Sequence, residues 1–332
     1  MYRLFAGIDV SKDYVDASWT DGPNPTYLGR FENSIAGFKK LVGGLKAVTS
    51  LKKTEWFICF ENTGTYSKLL FQWLCSQGIA CREENAMRIL KEAGVRRGKS
   101  DKIDSIRICL YAFKNRDILQ ATPLPSPESQ LLKKLLSRRD FLVRQRVARQ
   151  VSLREQKSEF PTKLLKQLEE QDQAAILKLN EDIEFIEDQI DTLIAENNAM
   201  QKNYELAQSV KGVGPVITWY LIAYTGNFEN FANARKFASY CGVAPFPYES
   251  GSSQKYKDRV SPLANKHIKA LITNGALAAI AHDTEIRSYA HRKLAEGKEP
   301  GCVQNAVKNK LIARVFAVVK RGTPFVATHN YA

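Results

Sequence analysis

The chain has 332 residues, 44% hydrophobic and 25% charged, a composition that excludes wholesale disorder and collagen-like repeats. Its length exceeds what one compact core usually organises, so two domains, or one domain with an appendage, are expected. Lys and Arg number 49 against 35 Asp and Glu; the net charge of +14 favours polyanionic partners and salt-dependent binding, although a basic enzyme of any kind has the same balance.

In chain order, Leu4 to Val10 is a short apolar run containing Asp9, and Tyr14 to Trp19 follows a tight Ser11-Lys12-Asp13 turn, which predicts a hairpin. Thr26 to Phe31 reads as a third strand. Ile35, Phe38, Leu41, Val42 and Leu45 recur at helical spacing. Trp56 to Phe60 is a continuous apolar strand stopping at Glu61. Ser67 to Gln77 reads as helix, Ile79 to Arg82 as strand and Ser105 to Phe113 as helix. This order predicts an α/β unit, a mixed sheet with helices packed on it.

Thr122-Pro123-Leu124-Pro125-Ser126-Pro127 is a stiff linker that marks a boundary. Gln130 to Phe160 reads as a basic helix, interrupted by Pro161. The next stretch is acidic and carries a seam of Leu179, Ile183, Ile186, Ile190, Leu193, Asn197, Met200, Tyr204 and Ala207, whose 4-3 spacing predicts a coiled coil with Asn197 fixing register. An amphipathic helix packing on its own domain has the same pattern. From Ala207 onward the chain reads as mainly helical, an all-α unit, with Phe228 to Tyr240, Pro262 to Ala281, Glu285 to Leu294 and Val303 to Val319 as helices and Cys241 to Ser261 as a polar loop. Three regions are expected: 1–121, a linker and helical oligomerisation region 122–206, and 207–332. The start of the chain, with Asp9 so early, does not read as a signal peptide, and no apolar run reaches the roughly 18 residues of a membrane span. Six scattered cysteines without Cys-x-x-Cys spacing argue against structural zinc and for a reducing cytoplasmic setting.

Four carboxylates stand out. Asp9 and Glu61 end apolar strands; if those strands are parallel neighbours, both side chains emerge at the carboxyl edge of the sheet, where α/β sites form. Asp101 and Asp104, three apart at a helix start, share one face. Each alone could be a strand end or a helix cap, but clustered carboxylates repel unless cations neutralise them, and oxygen ligands suit Mg²⁺. The Lys211-Gly212-Val213-Gly214-Pro215 turn resembles a helix-hairpin-helix hairpin, whose glycines allow close backbone approach to a phosphate. Between Pro247 and Arg259, hydroxyls mix with Lys255, Lys257 and Arg259, cations able to stabilise a phosphorane-like transition state; an ordinary surface loop has a similar composition. His267, His282, His291 and His329 lack metal spacing and read as structural or surface residues. Lys308, Lys310, Arg314, Lys320 and Arg321 run along the last helix, either towards phosphates or towards solvent.

In this order, Gly7-Ile8-Asp9-Val10-Ser11-Lys12, Glu61-Asn62-Thr63-Gly64, Ser100-Asp101-Lys102-Ile103-Asp104, Gly212-Val213-Gly214-Pro215, and Gly242-Val243-Ala244-Pro245 followed by Glu249-Ser250-Gly251 resemble the transposases of the insertion sequence 110 family, the 110/116/902 group. The resemblance covers almost the whole chain. It implies a RuvC-like, RNase-H-type domain whose DEDD carboxylates fall on Asp9, Glu61, Asp101 and Asp104 and bind Mg²⁺. It implies a C-terminal transposase domain whose nucleophilic serine precedes a glycine, matched by Ser250. It further implies target and donor DNA as substrates, a covalent phosphoserine, a structured noncoding bridge RNA as guide, and a homo-oligomer, dimer or tetramer, in which one subunit's serine serves another's carboxylates. On that reading the protein is an RNA-guided recombinase of the nucleoid. Two other readings fit the residues: a metal-dependent, structure-specific endonuclease using water, and a non-catalytic nucleic-acid scaffold.

Overall fold

The computed structural model describes residues 2–93, 100–156, 163–244, 246–250, 254–259 and 264–326; for 246–250 and 254–259 it is the backbone path that is described. The chain divides into two compact units, Met1–Leu124 and Pro125–Ala332, and the division falls in the proline-rich segment.

The first unit carries a five-stranded mixed sheet in the order β3-β2-β1-β4-β5. Strands β1 (Leu4–Val10), β2 (Tyr14–Thr20) and β3 (Thr26–Glu32) form an antiparallel meander. Strands β4 (Trp56–Glu61) and β5 (Ala80–Glu84) are added parallel to β1, which forces helical crossovers. Alternation along β1 and β4 divides the sheet into two faces. On one, Leu4, Ala6, Ile8, Trp56, Ile58 and Phe60 pack under α1 (Ile35–Val48) and α2 (Thr65–Ser76). On the other, Phe5, Phe57 and Cys59 pack under α4 (Asp101–Lys114) and Ile89 of the short α3 (Ala86–Ala93). This agrees with the expected α/β unit and with an RNase-H-like domain; α3 was not expected.

Gly7 sets how closely α4 approaches. A Cβ there would lie 2.1 Å from the Cys109 amide nitrogen and 2.4 Å from the Ser105 carbonyl oxygen, so the helix backbone occupies the place of a side chain. Two polar contacts fix the helix at this approach: the Ser18 and Ser105 hydroxyls are bonded at 2.7 Å, and the Cys109 thiol donates to the Phe5 carbonyl at 3.4 Å. The last residues of the unit are stitched to the edge of β5. The Thr122 amide donates to the Cys81 carbonyl at 2.8 Å, and the Glu83 amide donates to the Thr122 hydroxyl at 3.1 Å.

The second unit is mainly helical: α5 (Pro127–Gln156), α6 (Lys163–Ala195), α7 (Asn198–Gln208), α8 (Pro215–Thr225), α9 (Ala234–Tyr240), α10 (Lys266–His282), α11 (Thr284–Ala295) and α12 (Pro300–Arg321). The basic α5 runs antiparallel to the acidic α6. Arg139 donates to Glu187 (2.6 Å), Arg146 to Asn180 (3.0 Å) and Arg149 to Asp172 (2.7 Å), so rising numbers on one helix meet falling numbers on the other.

The long seam of the expected coiled coil is not formed. Helix α6 ends at Ala195, and the Asn197 side chain caps α7 by accepting from the Met200 amide at 3.1 Å. Ile190, Met200 and Ala207 are instead buried in the unit's own core beside Trp219, Phe237 and Val315. The periodicity was real, but a capping asparagine and the core of the same chain account for it. The expected loop from Cys241 to Ser261 also differs: β6 (Phe246–Ser250) and β7 (Gln254–Arg259) pair antiparallel, with Ser250 opposite Gln254. The helix expected from Phe228 starts only at Ala234, because Asn227 and Phe228 take positive φ angles of 55° and 71°. Among the described residues, no helix is long and apolar enough to cross a membrane.

Candidate active site

Asp9 lies on the face of β1 shared with Phe5 and Gly7, the face that α4 covers. Glu61 follows from the parallel register, in which Ile8 pairs with Phe60, so the two acids sit at the same sheet end on adjacent strands. Ser100 caps α4 through its hydroxyl, accepting from the Ile103 amide at 3.3 Å. That places Asp101 and Asp104 in the first turn, where the helix dipole favours negative charge.

The four acids share one electrostatic environment. Burial pushes the Asp9 carboxyl up from the ordinary 3.8 to about 6, and Asp104, Asp101, Glu61 and Asp16 add to the rise in that order. Asp16, buried on β2 directly across from Asp9, was not singled out from sequence. It accepts from the Tyr27 hydroxyl at 2.6 Å and from Arg30 Nε at 2.9 Å. The turn length gives it away: with Val10 opposite Val15, Asp9 must face Asp16.

Two arginines complete the site. Arg30 reaches past Asp16 to Asp101 at 2.7 Å, and Arg107 holds Asp104 at 2.7 Å. An all-oxygen donor set is the chemistry a hard divalent cation takes, and the fit holds for identity and placement of the ligands. Among the described residues, however, no three acidic, His or Cys side chains stand close enough to hold an ion as placed. Asp101 and Asp104 are engaged by Arg30 and Arg107.

Of the remaining expected site residues, Lys211 is exposed on the turn between α7 and α8. Gly212, with φ +91°, packs into α10: a Cβ would lie 2.6 Å from the Gly275 carbonyl oxygen and 2.8 Å from Ala279 Cβ. Gly214 is open and supplies the N-cap of α8. Gly212 therefore has a packing reason that the sequence motif did not reveal. Ser250 ends β6 and Lys255, Lys257 and Arg259 lie along β7; their side chains, and Gly251, Ser252 and Ser253, lie outside the described residues. The ends of this excursion are tied together by the Asn265 amide, which donates to the Tyr240 carbonyl at 2.8 Å, and its first end is held to α12 by Asn305 Nδ2, which donates to the Val243 carbonyl at 2.5 Å.

The last helix is not a row of free cations. Arg314 is paired with Asp283 (2.8 Å) and Glu285 (2.7 Å), and Lys310 lies over the Tyr289 ring. Lys308 is buried, 3.3 Å from the Thr273 hydroxyl, and burial followed by the charge of Lys269 lowers its ammonium pKa. A lowered lysine pKa is a cost below that pKa, and the cost fades as pH rises towards the unfolded value. Lys308→Met is accordingly expected to stabilise the protein at pH 7, with the gain shrinking by pH 10 to 11, as read by denaturant unfolding at both pH values.

Acids at one end of a mixed sheet and in the first turn of the helix that covers it, on a chain of strong positive charge, are the arrangement expected of a nucleic-acid-processing enzyme. Residues 6–159 match a transposase family model for the DEDD domain of IS110-type elements, and residues 204–291 match the model described as "Transposase IS116/IS110/IS902 family". The chain belongs to this family and is a DNA transposase or recombinase. The pilin gene-inverting proteins of Moraxella bovis and Moraxella lacunata are each 25% identical to it over 98% of both chains. A probable family 20 transposase of Pseudomonas aeruginosa is 24% identical over 69% of this chain and 74% of its own.

Proposed function

We propose that the protein is an RNA-guided recombinase of a mobile element that cuts and rejoins DNA through Ser250. The placement of Asp9 and Glu61 at one sheet end, with Asp101 and Asp104 in the first turn of the helix over that sheet, supports the carboxylate part of this reading. Relatives named for gene inversion favour strand exchange over hydrolysis, because inversion requires every cut end to be rejoined.

In this scheme the Ser250 hydroxyl oxygen bonds to the scissile phosphorus and the bond from phosphorus to the DNA 3′ oxygen breaks. The serine proton passes to a base and the leaving oxygen becomes a 3′ hydroxyl. Attack by another 3′ hydroxyl reverses these changes and restores a phosphodiester, so no external energy is needed. Asp9, Glu61, Asp101 and Asp104 are the residues to hold Mg²⁺, which when bound supplies positive charge to phosphate oxygens. Lys211, Lys255, Lys257 and Arg259 are assigned to the DNA backbone, with the Gly212 and Gly214 turn beside them. A bridge RNA would read target and donor by base pairing while the protein reads backbone shape. Serine and carboxylates belong to different subunits of a dimer or tetramer, acting at the nucleoid.

The test is incubation with cognate DNA, guide RNA and Mg²⁺, followed by a denaturing gel. A covalent protein–DNA species that Ser250→Ala abolishes is expected, with exchange lost by about a thousandfold or more. Hydrolysed ends made equally well by Ser250→Ala would instead establish the water-dependent endonuclease.

A further inference from the structure

The first unit has a second concave feature, at the opposite end of α4 from Asp101 and Asp104. It is a cavity of about 390 Å³ between α3, the end of α4 and the segment after it. That lies within the roughly 300–1,000 Å³ typical of small-ligand sites. We infer that it is a nucleotide-binding subsite, taking one unstacked nucleotide of a single strand with its phosphate on the cations of α3. The inference rests on the recombinase reading, which supplies the strand.

Three observations carry it. First, the lining is cationic: Arg82, Arg88 and Lys91 stand against one lining carboxylate, Glu92. The two arginines are held in place from beneath. Buried Glu84 bonds Arg82 Nε at 3.2 Å, lies 3.7 Å from Arg88 Nη1, and accepts from the Tyr111 hydroxyl at 3.1 Å. With Glu84 included the balance is still positive, and Lys91 adds a donor at the rim. Cations fixed by a buried carboxylate are preorganised for a phosphate, because little side-chain freedom is lost on binding.

Second, part of the lining is apolar. Ile118, 76% exposed, lines the cavity beside Leu119. Aliphatic side chains in the same cavity as fixed cations match a ligand with an apolar face and an anionic tail. A free phosphate would leave the aliphatic part of the lining unused.

Third, Asn115 and Gln120 line the same space. Asn115 Nδ2 already donates to Glu92 at 2.5 Å and to the Tyr111 carbonyl at 2.9 Å, so its Oδ1 and the Gln120 side chain are the groups offered to a base edge. Asn115 is fourteen residues beyond Asp101, which at 1.5 Å per residue places the two about 21 Å apart along the helix. A strand stacked at 3.4 Å per nucleotide spans that in about six nucleotides. The subsite would anchor a strand away from the scissile bond, so it positions nucleic acid and takes no part in the chemistry.

Photocrosslinking of the full-length protein in EDTA tests this without any cutting. Single-stranded oligonucleotides of about a dozen residues, one DNA series with 5-iododeoxyuridine and one RNA series with 5-iodouridine, are irradiated and the adducts mapped by peptide mass spectrometry. Adducts within residues 82–92 or 111–120 are expected from at least one series, and the series that gives them identifies the strand as DNA or RNA. Arg88→Glu with Lys91→Glu is expected to lower those adducts at least about tenfold and leave others unchanged. Ile118→Asp, at a side chain so exposed that folding is untouched, is expected to do the same, with melting curves as control. Adducts confined to other segments, or adducts here that neither variant lowers, would overturn the subsite alone. Absence of adducts anywhere in the chain would overturn the recombinase reading with it.

Discussion

Asp9→Asn is expected to cut strand exchange by about a thousandfold or more while leaving DNA binding within a few-fold, as measured by exchange rates and by band shift. The reason is charge: the amide keeps the shape of the carboxylate and loses the negative oxygen that a divalent cation needs, and each 1.36 kcal/mol of lost transition-state stabilisation is a factor of ten. The same change has a second, opposite signature. In the metal-free protein Asp9 is ionised at a cost, since burial and the neighbouring Asp104, Asp101, Glu61 and Asp16 raise its pKa to about 6. A raised carboxyl pKa destabilises the fold above that pKa, and the penalty vanishes as pH falls through the ordinary 3.8. Metal-free Asp9→Asn is therefore expected to be more stable than wild type by about 1–2 kcal/mol at pH 7.5, after allowance for partial solvation, and no more stable near pH 4. Adding divalent metal should raise the melting temperature of wild type and leave the variant where it was. Equal melting curves at both pH values would show that the four acids do not repel one another.

Gly7→Ala is expected to cost about 3 kcal/mol or more and to broaden or abolish the unfolding transition of the first unit in urea. A methyl group at Gly7 meets backbone atoms of α4, the Cys109 nitrogen at 2.1 Å and the Ser105 oxygen at 2.4 Å, and backbone in the middle of a helix does not yield as a side-chain tip does. The helix would have to lift from the sheet, parting the Ser18–Ser105 bond and carrying Asp101 and Asp104 away from Asp9. Activity should fall even at temperatures where the variant is folded. Gly43→Ala is the control: a Cβ there meets nothing within 4 Å, and helix propensity makes a small gain the expected result.

Much of the first unit was legible because its signals are local and agree. The apolar runs ending at Asp9 and Glu61 are buried parallel strands, and a continuous apolar strand needs no tertiary information to be recognised. The apolar pattern alone starts α4 at Ser105, four residues late, whereas the Asp101/Asp104 spacing already marks the helix start that Ser100 caps. What could not be read depends on distant partners. Whether Asp101 faces a metal or Arg30 is decided by β3, seventy-one positions earlier in the chain. Asn197 looks the same in sequence as a seam residue or as a helix cap, and the burial of Met200 and Ala207 in the second unit's core decides it. The β6–β7 pair was missed because charged and polar residues make up most of it and Gly251-Ser252-Ser253 joins it, a composition shared with surface loops. Gly212 shows the converse, a motif glycine whose neighbours are helix backbone.

Thr122 has a consequence for how copies of this chain meet. By bonding across the outer margin of β5, it occupies donors and acceptors that a foreign strand would otherwise recruit. On the other flank, β3 is reached through an irregular step at Ala17 and Ser18, which disturbs the flat template that lateral zippering prefers. Self-assembly by lateral extension of this five-stranded sheet is thus disfavoured on both margins.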